Sequence, residues 1–222
     1  MWQRSMESIL SAQEISFSKR FKDPAKRTLY ILRNGILRWL IHKYTTLLPQ
    51  NIEFCRTKFG KPFLKSKTWP GFIRFNVSYS RDRLLLAFSR KYFVGIDLEY
   101  KNIEFPVVDI ASRFFTAAEA NLIKTDNETA RIALFFKIWV LKEAYTKAIG
   151  KGLFLPLDSF EVPIGKLAVR NNVSCQESVS LGHINKEWYF YDIPVDPQYC
   201  ACLVLNSNSA IIRIFDLHSL DM

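Results

Sequence analysis

The chain has 222 residues, 49% of them hydrophobic and 14% aromatic, enough to bury a substantial core as one large domain or two small ones. That composition excludes a disordered chain, and no apolar run approaches the ~18 residues of a membrane span. Net charge is +10, unevenly spread: residues 1–91 hold 19 Lys/Arg against 5 Asp/Glu, and residues 92–222 hold 12 against 16. The first half therefore attracts anions, which leaves nucleic acid, a membrane surface or a polyphosphate ligand open, and the second half supplies carboxylates. Residues 1–10 carry charge and no apolar core of signal type, so a soluble, cytoplasmic protein is expected.

Residues 1–48 have helical periodicity. Ser11 with Glu14 has capping-box spacing, and Asp23-Pro24 opens a second helix that Pro49 stops. Strand-like segments follow at 52–57, 72–78, 84–89 and 93–100, with turns at 81–83 and 90–91. A second cycle begins after Pro106, with a helix over 107–115. Thr116 with Glu119 and Thr125 with Glu128 then give two more capping-box pairs, before a long helix closed by Gly150. Strands return at about 160–162, 166–170, 188–193, 199–206 and 210–216. The pattern is α+β, in two halves of similar size: 1–103 and 104–222. Cys55, Cys175, Cys200 and Cys202 lack zinc spacing and are expected as buried free thiols. His42, His183 and His218 join no nucleophile pattern.

The chemistry concentrates in two segments. Side chains alternate along a strand, so Asp97 and Glu99 share one face while Ile96, Leu98 and Tyr100 take the other. Two acids on one face repel unless a cation lies between them. On the long helix Trp139, Glu143 and Lys147 are spaced i, i+4, i+8 and line one side, with Lys142 beside that stripe. A third acid delivered from this helix makes a divalent-metal site, and oxygen-only ligands suit magnesium shared with substrate phosphates. Lys58-Phe59-Gly60-Lys61-Pro62 and Asn76-Val77-Ser78-Tyr79-Ser80 could each cradle phosphate. Glu119 is first a capping residue for Thr116 and only second a candidate base.

Taken in order, these motifs resemble the phosphopantetheinyl transferases of the surfactin-synthetase-activating type. The resemblance rests on Phe59-Gly60-Lys61-Pro62, Phe75-Asn76-Val77-Ser78-Tyr79-Ser80, Gly95-Ile96-Asp97-Leu98-Glu99, Arg113-Phe114-Phe115, residues 136–147, Gly150-Lys151-Gly152-Leu153 and Pro156-Leu157-Asp158-Ser159-Phe160, with Lys26-Arg27-Thr28 and residues 33–38 earlier. It implies a pseudo-twofold pair of similar α+β subdomains, each with a small antiparallel sheet packed on helices. It also implies transfer of phosphopantetheine from coenzyme A to a serine of an apo acyl or peptidyl carrier protein, with release of adenosine 3′,5′-bisphosphate.

By the same resemblance Asp97, Glu99 and Glu143 hold magnesium on the pyrophosphate, and Lys147 touches that pyrophosphate with support from Lys142. Arg27, Lys61, Pro62, Ser78 and Tyr79 lie where the family holds the adenine nucleotide and its 3′-phosphate. Glu143 is the favoured base, directly or through a water. The implied enzyme is a monomer without a nucleic-acid or membrane partner. Tyr79 stands where the family commonly has histidine, and a phenol cannot carry that positive charge. The basic residue often found near Phe17 is also missing. Two other functions remain open: a basic nucleic-acid-binding module, and a coenzyme A-binding protein without transferase activity.

Overall fold

The computed structural model describes residues 2–45, 47–65, 73–164, 168–170, 173–179 and 187–217. Residue 72 and residues 166–167 of two expected strands, with His183 and His218, lie outside the described residues. The fold is α+β, as the alternation of helical and strand periods predicts. Backbone contacts divide the chain into two units, Met1–Phe75 with Phe88–Lys91, and Asn76–Ala87 with Tyr92–Met222. The strand Val94–Tyr100 pairs along its whole length with Tyr199–Leu205, so its backbone bonds belong with the C-terminal sheet.

The first unit contains α1 (Trp2–Ser8), α2 (Ala12–Ser18), α3 (Pro24–Thr45) and the antiparallel pair β1 (Phe54–Arg56) and β2 (Pro62–Leu64). Ser11 and Glu14 form the capping box that their spacing predicts. The Asp23 carboxylate accepts from Ala25 N at 2.8 Å, which starts α3 with Pro24 in its first turn. Gly35 lets α3 touch α1 closely, since a Cβ there would lie 2.6 Å from Met6 Cβ. Arg38 is buried, and its guanidinium donates to Glu14 Oε2 at 2.6 Å and to the carbonyls of Pro49 and Ile52. A charge this deep requires such pairing.

The hairpin of β3 (Arg74–Ser80) and β4 (Arg83–Ser89) turns at Arg81, which takes a φ of 51°. The second unit holds β3 and β4 from Asn76 to Ala87, β5 (Val94–Tyr100), α4 (Val107–Phe114), α5 (Ala117–Leu122), α6 (Glu128–Ile149), β6 (Ala168–Arg170), β7 (Val173–Val179), β8 (Trp188–Asp192) and β9 (Tyr199–Leu205). β5 to β9 form an antiparallel sheet in the order β5-β9-β8-β7-β6. Alternation along β9 sends Cys202 and Val204 toward Phe135, Ile138, Leu141 and Tyr145 of α6, and Ala201, Leu203 and Leu205 into a second cluster with Ile96, Leu98 and Tyr191. Both sheet faces are therefore covered.

Three local expectations change. α6 is capped by Asn127, whose side chain accepts from Ala130 N at 2.9 Å, because Thr125 is engaged in the preceding turn by Asn127 N and the Arg131 guanidinium. Residues 160–162 and 210–216 are not strands. Cys202 is buried as expected, whereas Cys55 and Cys200 are only half-buried. Among the described residues no helix is long and apolar enough to cross a membrane.

Candidate active site

Among the described residues β5 is an edge strand, paired with β9 alone. Its outward amides must find partners elsewhere, and side chains of β3 supply them two residues apart. Asn76 Oδ1 accepts from Ile96 N at 2.7 Å, Ser78 Oγ from Leu98 N at 3.2 Å, and Ser80 Oγ from Tyr100 N at 3.0 Å. Asn76 and Ser78 are buried. The Asn-x-Ser-x-Ser spacing thus replaces a backbone ladder with a side-chain one.

The face of β5 that carries Gly95, Asp97 and Glu99 meets α6. A Cβ on Gly95 would lie 2.3 Å from Ala148 N, so only glycine permits this approach. The close packing brings Lys147 Nζ to 2.6 Å from Asp97 Oδ1 and 3.1 Å from Ser78 Oγ. Ser78 Oγ in turn donates to the same Asp97 oxygen at 2.9 Å, and Ser80 Oγ donates to Glu99 Oε2 at 3.3 Å.

Asp97, Glu99, Glu143 and Lys147 line one cavity of about 820 Å³ within the second unit, with Ser78 and Tyr79. Val77, Arg113, Phe114, Trp139, Leu153, Leu155, Pro156, Leu157 and Asp158 complete its lining. The cavity thus has an acidic region with one lysine and an apolar wall. Burial, then the Asp97 charge, pushes Glu143 up to about 7 and Glu99 likewise to about 7, with Glu143 adding to the latter. Asp97 Oδ2 and Glu143 Oε1 are buried without a hydrogen-bond partner among the described residues.

Hard, anionic oxygens crowded so that the Asp97 charge raises the proton affinity of both Glu99 and Glu143 form a donor set suited to magnesium. Two of those oxygens are left to accept. Among the described residues no three Asp, Glu, His or Cys side chains are gathered into a metal cage. The fit therefore lies in donor chemistry, and it suits an ion that takes only part of its ligands from protein.

The other expected residues fall as follows. Lys142 does not line the cavity; its ammonium is fully buried against Glu119, Leu157 O and Phe160 O. Its neighbour in sequence, Glu143, lines the cavity, because successive helical residues point about 100° apart. Glu119 caps α5 through Thr116 and is ion-paired with Lys142. Arg27, Lys61 and Pro62 belong to the first unit. Arg27 pairs with Glu7 at 3.0 Å. Burial, helped by the Arg74 charge, lowers Lys61 to about 8. Sequence reasoning did not foresee the apolar wall, whose signal was only a scatter of Leu and Pro within and between the 3₁₀ turns Gly152–Phe154 and Leu157–Ser159.

An α+β sheet edge with paired acids, faced by a helix bearing an acid and a lysine, is the segment that comparison with known proteins picks out. Residues 93–203 match the family model of the 4′-phosphopantetheinyl transferase superfamily. The chain belongs to that superfamily and is an enzyme of this type. It is 31% identical over 195 residues to the 4′-phosphopantetheinyl transferase Sfp of Bacillus subtilis, covering 86% of this chain and 80% of the relative. It is also 30% identical over 161 residues to the 4′-phosphopantetheinyl transferase HetI of a Nostoc species, covering 72% of this chain and 68% of the relative. A rat relative, named L-aminoadipate-semialdehyde dehydrogenase-phosphopantetheinyl transferase, is 29% identical over 183 residues, 77% of this chain and 58% of the relative.

Proposed function

We propose that the protein transfers the 4′-phosphopantetheine group of coenzyme A to a serine hydroxyl of an apo acyl or peptidyl carrier protein, with magnesium, releasing adenosine 3′,5′-bisphosphate. The observation that carries this reading is the convergence of Asp97, Glu99, Glu143 and Lys147 on one cavity. In the reaction the serine oxygen forms a bond to the β-phosphorus, and the bond from that phosphorus to the bridging oxygen breaks. The serine proton needs an acceptor, and the departing phosphate needs its charge met.

Glu143 is assigned the proton. Its carboxyl, raised to about 7, has the affinity a base needs at neutral pH. Lys147 is assigned the departing phosphate, since its ammonium lies on the cavity wall and a fixed cation stabilises charge as it develops. A magnesium ion held by Asp97, Glu99 and Glu143 would neutralise pyrophosphate charge. Ser78 holds Asp97 and Lys147 together and Tyr79 offers a phenol at the cavity. Arg27, Lys61 and Pro62 are assigned the nucleotide and its 3′-phosphate, a reading supported by the cation surplus of residues 1–91. The enzyme is proposed to act in the cytoplasm as a monomer.

The test is to incubate the protein with coenzyme A, magnesium chloride and several apo carrier proteins, and to weigh the carriers by mass spectrometry. Phosphopantetheine added to the carrier serine is the expected result. Coenzyme A binding with no carrier modified would leave a binding protein, and salt-dependent nucleic-acid binding without coenzyme A binding would leave a basic module. Either outcome rejects the proposal.

A further inference from the structure

Lys142 has no direct place at the cavity, yet among the described residues of the second unit it is the most deeply buried charge, with its side chain at 0% exposure and that of its partner Glu119 at 3%. Burying an ion pair gives little net stability, and apolar residues of the same volume commonly serve as well. Directional bonds are what such a pair can supply and apolar residues cannot. Here those bonds converge on one stretch of backbone. Lys142 Nζ donates to Leu157 O at 2.6 Å and to Phe160 O. Glu119 Oε1 accepts from Val162 N at 3.0 Å, and its Oε2 accepts from Thr116 N at 3.1 Å.

The stretch from Leu155 to Asp158 is one wall of the cavity, and Arg113 and Phe114, just before Thr116, are another part of it. Apart from the Ser159-to-Pro156 turn bonds, the short 3₁₀ helix Leu157–Ser159 offers few internal bonds of its own. Its placement therefore depends on what reaches it from α6. We propose that Lys142 and Glu119 are positioning residues: through Leu157, Phe160 and Val162 they fix the apolar wall of the cavity opposite the acids of β5. The pair acts on how well substrate is held and takes no part in the bond exchange. This proposal rests on the transferase reading above.

The decisive comparison uses the full chain with Glu119→Gln, Glu119→Gln/Lys142→Met and Ser159→Gly. Glu119→Gln keeps an acceptor for Val162 N and leaves Lys142 Nζ its donations to both carbonyls, so KM for coenzyme A should stay within about threefold of wild type. The double variant keeps both side-chain volumes near their originals but loses the bonds to Leu157 and Phe160. Its KM for coenzyme A should rise about tenfold or more while kcat at saturation stays within about threefold. Ser159→Gly, exposed and away from the pair, loosens the same turn from outside and should shift KM in the same direction, even if the double variant does not fold.

Hydrogen exchange gives a readout independent of catalysis: amides of residues 155–162 should exchange faster in the double variant and in Ser159→Gly, while those in the middle of α6 stay protected. Unchanged KM and unchanged exchange in the variants that fold would overturn the proposal. So would a fall in kcat at constant KM, which would place Lys142 in the chemistry. If the wild type modifies no carrier, the transferase reading fails and the exchange measurement alone decides the positioning role.

Discussion

Gly95 and Ala144 touch backbone to backbone: a Cβ added to Gly95 would lie 2.0 Å from Ala144 O. The acids of β5 and Glu143 of α6 can face one cavity because nothing stands between strand and helix at this point. Gly95→Ala should destabilise the protein by about 3 kcal/mol or more, at the upper end of overpacking costs, since backbone atoms cannot swing aside. Urea unfolding measures this. Because the shift falls two residues from Asp97, transfer should drop further than the fraction unfolded explains.

Asp97→Asn and Glu143→Gln should each lower kcat by about 100-fold or more, the usual cost of removing a group that meets charge in the transition state. Glu143→Gln should keep stability near wild type at pH 8, because it removes a carboxylate whose charged form burial and the Asp97 charge disfavour, whereas Asp97→Asn should also cost stability, since Asp97 is buried against Lys147 and Ser78. Steady-state assays together with thermal melts check both halves. Wild-type turnover in either variant would reject the assigned role.

The pH dependence has a definite sign. Folding raises Glu99 and Glu143 to about 7, above the ~4.3 of an unfolded glutamate. The folded state thus binds more protons between these values. Its contribution to stability is complete below ~4.3 and is lost as pH rises through about 7. Without divalent metal, Tm should fall from pH 5 to pH 8 more steeply than in Glu99→Gln/Glu143→Gln. Magnesium chloride should raise Tm at pH 8 and do little at pH 5, and chelation should reverse it. Equal slopes in wild type and double variant would count against this account.

The helix ends were legible because their chemistry is local: Ser11 with Glu14, Thr116 with Glu119 and Gly150 all act within a turn of themselves. So was the acidic face of β5, since period-two alternation needs no knowledge of partners. β7 was not, because Val173–Val179 is mostly polar, with Ser174, Gln176, Glu177 and Ser178 hiding the alternation. The stretch 160–162 alternates apolar Phe160 and Val162 with Glu161, enough to suggest a strand, yet its Val162 amide is taken by a glutamate 43 residues earlier. Lys142 shows the same limit within the site. A lysine beside a catalytic stripe suggests a ligand contact, and only the non-local position of Glu119 reveals that its charge is spent inside the protein.

Ser78→Ala tests a residue that the resemblance assigns to the nucleotide. Its hydroxyl is used by Asp97, Leu98 N and Lys147 at once, so its loss should cost about 1–3 kcal/mol through the unpaired Leu98 amide. kcat should fall as well, because Asp97 and Lys147 lose their common anchor. Restored activity in Ser78→Thr, which keeps the hydroxyl, would separate loss of that oxygen from loss of fold. If only KM changed, Ser78 would be a ligand contact and not an anchor.

The side-chain ladder from Asn76, Ser78 and Ser80 also governs how this molecule behaves toward copies of itself. Val94–Tyr100 is rich in aliphatic residues, and an open strand of that kind would be a template for self-association. Here every outward donor at Ile96, Leu98 and Tyr100 is already taken from within the same chain. Damage to this motif would therefore show as lost solubility alongside the missing chemistry.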